Sequence, residues 1–325
     1  MANEAAEQAL SISFSKGSDI PDFFSRTTGK EFIGWFNANC ANKDAWKGKA
    51  LGTSDQVRQR FNLIWDQFPL MFGTENISLA QFISLTSIFI NEVGADLLPI
   101  TEKVGRANHP GLAYPFNAIK DVKISYNQSP NKTAFELFNN GLYIQTHGDL
   151  ALADRLKNTT DQRWNAMVYP QADFTTTTDV AASGFLREAD FFKFRGRGFI
   201  QTTWRSNYIL LIKFIQAYAG TNPKVLSYKA KWAGLKPDDV ATISTNVDWD
   251  DLFQNSDLVI PCAGVKCHNQ ASGNYLNLSK DVNAVIGKGP GSINRMGLKI
   301  SGGTKYANLF RARVIQTMLT LSKQM

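Results

Sequence analysis

The sequence predicts an α+β fold that is mainly α-helical, and three observations predict it. Apolar residues recur at three- and four-residue spacing in several separate segments. Two of those segments open on a Ser/Thr-x-x-Gln/Glu capping box, at Ser78 and at Thr133. Between them, residues 106–186 are rich in Asn, Pro, Thr and Gly, which reads as loops, a short helix or two and at most a β-hairpin. A chain of 325 residues is long enough for one large domain or two modest ones with a sizeable core.

Taken in order, residues 1–30 show no periodicity and read as an irregular arm, so residues 1–50 are predicted to be an N-terminal arm or small extension. Ser54 is a plausible N-cap for a helix carrying Val57, Phe61, Ile64 and Phe68, ended near Pro69. The run "SLAQFISLTSIFINEVG" starts at Ser78 with Gln81 three residues on. Its Leu79, Phe82, Ile83, Leu85, Thr86, Phe89 and Ile90 fill more than one face, which predicts a helix buried on most sides and ended at Gly94. A short helix is predicted after Thr133, and another over "WRSNYILLIKFIQAYAG", closed by Gly220. Residues 221–257 read as a polar connection, and Ser279 to Gly287 as a short helix. A last helix is predicted from Thr304, with Leu309, Phe310, Arg313, Val314, Thr317 and Met318 at three- and four-residue spacing.

Composition narrows the function. The formal net charge is +7 and the sequence pI about 9.2, which favours an anionic partner. The basic residues form no run of five or six, so no nucleic-acid tail is indicated. The first nineteen residues hold early acids and no apolar core, and do not read as a secretory signal. Synthesis in a cytoplasm is therefore expected. No stretch approaches 18 consecutive apolar residues, so no membrane span is expected. Cys40, Cys262 and Cys267 are odd in number and widely spaced, and read first as free thiols, then as a small local disulfide. "CAGVKCH" lacks a fourth ligand and tight spacing, so neither a metal nor another cofactor is predicted. His109, His147 and His268 lie far apart and read as surface or satisfied polar residues, and "GKGPGS" lacks the order of a phosphate loop and reads as a turn.

Two carboxylates are candidates for chemistry. Glu92 falls in the last turn of the buried helix, where apolar surroundings and the negative helix end both favour the protonated acid. Such a group is a candidate general acid. Glu102 follows a Pro-containing turn ten residues on. One carboxylic acid that protonates a leaving oxygen and one carboxylate that activates water are the minimum for glycoside hydrolysis. Asp96 competes for the second role. A third element is "FRGRGFIQTTWRSNY", residues 194–208, whose glycines allow close backbone approach to a ligand. If this stretch is extended, Gln201 and Thr203 point to one side, where amide and hydroxyl groups suit sugar hydroxyls and a water. Arg195 and Arg197 either face substrate or hold the loop through backbone carbonyls or a carboxylate, and Trp204 reads as core or as a sugar platform.

"RGRGFIQTTWRSNY" resembles the Gly-Arg-Gly-x-Ile-Gln-x-Ser/Thr-x-x-x-Asn-Tyr pattern of the family 19 glycoside hydrolases, the plant-type chitinases and related bacterial and phage lysozymes. "FISLTSIFINEVGADLLPITE" is similar to that family's helix ending in His-Glu with a second acid after a turn. "LKISGGTKYANLFRARVIQ" is similar to its late Asn-Gly-Gly segment. The resemblance covers roughly residues 78–105 and 180–320. It implies a lysozyme-like two-lobed fold with a cleft between lobes, over residues 51–325 with a long insertion at about 106–180. It further implies that Glu92 is the general acid, Glu102 the general base and Thr203 the holder of the attacking water. Gln201, Asn207, Arg197, Tyr208 and Trp204 would bind substrate. Inversion, which the family uses, needs carboxyl groups roughly 6.5–9.5 Å apart. Asn91 stands where the family has His, Gly94-Ala95-Asp96 replaces its Gly-rich continuation, and Ser301 replaces the late Asn. The expected partner is peptidoglycan, met after release at lysis or from a phage particle. Chitin is the alternative, and a non-catalytic wall-binding or virion protein of the same fold is the third.

Overall fold

Where each helix begins and ends follows from local chemistry that the computed structural model makes explicit. The structure describes residues 1–102, 104–106, 109–111, 140–147, 187–188, 190–268, 278–301 and 303–325. The chain divides into two units, Met1–Pro99 with Asp257–Met325, and Ile100–Ser256. Its elements in chain order are α1 (Ala2–Ser11), β1 (Ser13–Phe14), α2 (Asp19–Thr28), α3 (Phe32–Asn39), α4 (Asp55–Asp66), α5 (Phe68–Phe72), β2 (Ile77–Ser78), α6 (Leu79–Glu92), β3 (Ile100–Thr101), β4 (Val104–Arg106) and β5 (His109–Gly111). There follow α7 (Gly141–His147), α8 (Asp190–Lys193), β6 (Arg197–Gly198), α9 (Arg205–Ala217), α10 (Pro223–Lys231), α11 (Pro237–Ile243) and α12 (Asn246–Asn255). The last are α13 (Val259–Lys266), α14 (Val282–Ile286), α15 (Ile293–Ser301) and α16 (Thr304–Ser322). The described residues are mainly helical, with two-residue and three-residue strands paired antiparallel, as an α+β reading requires.

In the first unit α6 is the central rod. Its capping box is formed: the Ser78 hydroxyl accepts from the Gln81 amide, and the Gln81 side chain accepts from the Ser78 amide. Every residue from Leu79 to Ile90 except Gln81 is buried. Phe82 sits among five rings, with centroids 4.6 Å away at Trp65, 5.1 Å at Phe32, 5.7 Å at Phe24, 6.1 Å at Phe14 and 6.2 Å at Phe61. The Ser54 cap of α4 is also present, its hydroxyl accepting from the Val57 amide. The long α16 carries Phe310, Arg313, Val314, Thr317 and Met318 on its buried face, while Leu309 is exposed and Gly303, not Thr304, is the N-cap.

Residues 1–30 are not an irregular arm. They form α1, β1 and α2, and residues 32–39 form α3. Helix α1 buries Ala5, Ala6 and Ala9 and packs on α16, α14 and α6. Alanine gives close approach without a strong apolar stripe, which is why periodicity did not betray it. Strand β1 pairs with β2, Phe14 opposite Ile77, which ties this segment to the start of α6.

In the second unit residues 221–257 are not a plain polar connection but three short helices. Each has its own start: the Asn222 side chain accepts from the Val225 amide ahead of Pro223, Pro237 opens α11, and Thr245 forms a capping box with Asp248. They enclose Trp232 and Trp249, and Trp249 meets Tyr208 of α9 edge-on at 4.6 Å. Strand β3 pairs with β6, Ile100 opposite Gly198 and Thr101 opposite Arg197. The only hairpin among the described residues at the start of the long insertion is β4–β5, Val104 opposite Gly111. The helix expected after Thr133 lies outside the described residues.

Phe82→Ala removes the shared contact of five rings and is expected to cost about 3–5 kcal/mol of stability. Urea unfolding of the whole chain checks it, and a loss below about 1 kcal/mol would show that the cluster is not the centre of that core.

Candidate active site

The arginine- and glycine-rich loop is held from inside. Arg197 is fully buried. Its Nε donates to Asp250 Oδ1 at 2.8 Å, Nη1 to the Lys193 carbonyl at 2.7 Å and to the Tyr208 hydroxyl at 2.9 Å, and Nη2 to Asn246 Oδ1 at 2.9 Å. The Tyr208 hydroxyl donates in turn to the Arg195 carbonyl at 2.7 Å. Arg195 also pairs with Asp250 at 3.2 Å and donates to Asn246 and to the Phe192 carbonyl. Arg205, equally buried, pairs with Asp190 at 3.1 Å and donates to Thr242 Oγ1. Buried Lys193 donates to the Ala241 and Thr242 carbonyls, and burial pushes its ammonium down to about 8, still charged at neutral pH. Burial also opposes charge on both loop arginines. It lowers Arg195 to about 10 with help from Arg197, whereas Tyr208 and Asp250 outweigh it at Arg197.

Within that frame Glu102 meets the loop. The β3–β6 pairing continues one residue on, so the Glu102 amide donates to the Gly196 carbonyl at 2.8 Å. The Gly196 amide donates back to Glu102 Oε2 at 3.1 Å. A side chain at Gly196 would have to push Gln201 aside: a Cβ there would lie 2.6 Å from Gln201 Oε1 and 3.1 Å from Thr203 Oγ1. Glu102, Gln201 and Thr203 therefore converge on one glycine. Burial raises the Glu102 pKa, while the Gly196 amide, Arg195 and Arg197 pull the other way. The Thr203 hydroxyl donates to the Gln201 carbonyl at 2.6 Å, which leaves its lone pairs to accept. Gln201 Nε2 is buried without a hydrogen-bond partner.

Convergence is not achieved by an extended strand, as the alternation of Gln201 and Thr203 suggested. Residues 199–201 turn, Gln201 has φ 55° and Trp204 φ 79°, and Thr202 pairs back to Arg197. Three residues expected to touch substrate are instead turned into protein. Arg197 and Tyr208 hold the loop, and Asn207 is buried with its amide donating to the Thr203 carbonyl at 2.6 Å. Trp204 is half-buried, neither core nor an open platform.

Glu92 is the last residue of α6, in the first unit, and is half-buried. Tyr306 donates its hydroxyl to Glu92 Oε1 at 2.7 Å. Burial raises the Glu92 pKa, and the Tyr306 hydroxyl and Lys49 lower it less. The neighbouring Asn91 accepts from Arg313, whose Nε donates to the Ala45 carbonyl at 2.7 Å. Sequence reading missed Tyr306, because nothing in the first turn of α16 marks a tyrosine that reaches α6. Asp96, the competitor for the second carboxylate role, is exposed and belongs to the first unit.

Cys40, Cys262 and Cys267 are free, buried thiols, and burial pushes Cys40 and Cys267 up to about 12. His147 and His268 are not the surface or satisfied residues expected: His147 Nε2 and His268 Nδ1 are buried without a hydrogen-bond partner, and burial holds both rings down to about 4. The side chain of His109 and that of Ser301 lie outside the described residues. Residues 287–292 form a turn, with the Ser292 amide donating to the Gly289 carbonyl. Among the described residues no group of three His, Cys, Asp or Glu is arranged to hold a metal ion, and no helix is long and apolar enough to cross a membrane. Comparison with known families, with curated proteins and with solved structures returns no match for this chain.

Gly196→Ala is expected to displace the Gln201 side chain and strip Thr203 of its place while leaving the helices intact. Circular dichroism unchanged from wild type, with Glu102 and Gln201 shifted in a crystal structure of the variant, is the predicted result. An unmoved Gln201 would show that the glycine is not a spatial requirement.

Proposed function

We propose that this protein is a glycoside hydrolase that cuts the glycan strand of peptidoglycan by an inverting, two-carboxylate mechanism. The observation that carries the proposal is the contact of Glu102 with Gly196, flanked by Gln201 and Thr203. These residues are about a hundred positions apart in sequence, yet they are the ones the family resemblance groups together. The proposal includes the lysozyme-like, two-lobed fold with its cleft, and action on the wall after release or from a phage particle.

In this reading Glu92 gives its proton to the glycosidic oxygen, and burial favours the protonated form of that acid. Glu102 takes a proton from the attacking water. Burial raises its pKa, which strengthens it as a proton acceptor, and the Gly196 amide, Arg195 and Arg197 offset part of that rise. Thr203, its hydroxyl hydrogen committed to the Gln201 carbonyl, accepts a hydrogen bond from that water. Gln201 Nε2 donates to a sugar oxygen, which would satisfy a buried donor left without a partner in the protein. Arg197, Tyr208 and Asn207 serve as positioning residues that fix the loop and do not touch the sugar.

Release of reducing ends from purified peptidoglycan and from chitin tests the reading. Glu92→Gln and Glu102→Gln should each lower kcat by about 10²–10⁴ with KM little changed, and the new reducing end should appear first as the inverted anomer by NMR. Hydrolysis of chitin alone would replace the substrate. Wall binding without hydrolysis, or a rate insensitive to both substitutions, would overturn the enzymatic reading.

A further inference from the structure

The net charge of this chain is not spread over it. Residues 279–325 hold eight of the 35 lysines and arginines but one of the 28 aspartates and glutamates, so they carry +7 while residues 1–278 carry 27 of each sign. The cations form no run, and the excess comes from the absence of acids. The single carboxylate, Asp281, is used to cap α14, accepting from the Ala284 amide at 2.7 Å.

Within the first unit these residues lie on helices that pack together. Helix α15 packs along α16, and α14 packs on α15. Arg311 of α16 reaches α14, its Nε donating to the Ile286 carbonyl. Arg295 and Lys299 stand one turn apart on α15, about 6 Å along its axis. Lys288 lies in the turn before α15, Lys305 in the first turn of α16, and Lys280 ahead of α14. All six are exposed or half-exposed, and none of them is in an ion pair among the described residues.

The geometry points to a docking surface for a polymer with a regularly repeated phosphodiester, of the poly(glycerol phosphate) kind carried by cell walls. Several cations that make no ion pair among the described residues, on helices that pack together, outnumber the acids near them. Those acids are Asp281, Glu7 in the pocket that Lys280 lines and Asp44 in the pocket that Arg311 lines. The excess cations attract closely spaced phosphates over a Debye length. Base stacking has no platform here, since Tyr306 is half-buried and lies parallel to Phe310 at 6.3 Å. Insertion into a bilayer has no apolar face either, because Leu309 is the one large apolar side chain exposed between residues 279 and 322. Preferring a wall polymer to another polyanion rests on the wall-directed function proposed above. The basic surface itself does not.

Binding of the full chain to immobilised poly(glycerol phosphate), followed across salt concentrations, tests the assignment. The wild type should bind and weaken steeply as salt rises, as counterion release requires. Replacing Lys280, Lys288, Arg295 and Lys299 by Gln should weaken binding at least about tenfold. A control of equal charge change, with Gln at exposed Lys16, Lys30, Lys213 and Lys236, should bind nearly as wild type. Both variants should keep the wild-type thermal transition and the wild-type rate on peptidoglycan freed of phosphate polymers, so binding and hydrolysis succeed or fail separately. Equal weakening in the two variants would overturn the surface. Tighter binding to duplex DNA or to anionic phosphatidylglycerol vesicles than to poly(glycerol phosphate) would overturn its occupant.

Discussion

The candidate site depends on one buried guanidinium. Arg197 has no exposure to solvent, and its three nitrogens all donate, to a carboxylate, an amide, a hydroxyl and a main-chain carbonyl. A charge taken out of water is tolerable only when every donor finds a partner. Here the partners come from α12, α9 and the end of α8, so satisfying the arginine also fixes the loop between them. Gly196 sits between Arg195 and Arg197, and its amide points at Glu102 as a result. The two arginines thus take the second of the two roles their pattern allowed, holding the loop through backbone carbonyls and a carboxylate. A lysine could keep the charge but not the fork of directed donors.

Glu92 is held by a different device. Its carboxylate and the adjacent Asn91 side chain both reach α16, through Tyr306 and Arg313. The last turn of α6 is thereby clamped at two successive residues. The Tyr306 hydroxyl stabilises the carboxylate, while burial destabilises it, and burial is the larger effect. A general acid needs that balance to favour the proton without losing its orientation. A donor hydroxyl supplies orientation, and an apolar helix end supplies the raised pKa.

Much of the helical frame could be read from the residues. Long helices with large apolar side chains, α4, α6 and α16, showed their spacing, and Ser54 and Ser78 showed their caps. Helix α1 escaped because it packs through alanines, and α10 to α12 escaped because each is short and polar on most of its surface. At the site, residue types were legible but directions were not. Gln201 and Trp204 adopt positive φ without being glycine, which nothing local announces. Arg197 turns inward to Asp250 and Asn246, about fifty residues further on, Asn207 to the Thr203 carbonyl, and Tyr208 to the Arg195 carbonyl. Tyr306 lies 214 positions from Glu92 and had no signal of its own. The resemblance grouped Glu102 with Gln201 and Thr203. In the structure Glu102, Gln201 and Thr203 all lie against Gly196, a juxtaposition that spacing alone could not show.

Amide hydrogen exchange on Arg197→Lys measures the dependence on that guanidinium most directly. In the wild type the Gly196 and Thr202 amides, bonded to Glu102 and to the Arg197 carbonyl, should exchange slowly. In the variant they should exchange at least about tenfold faster, with the amides of α6 unchanged. Equal protection of Gly196 and Thr202 in both proteins would contradict the account, because the loop would then be held by something other than its buried arginine.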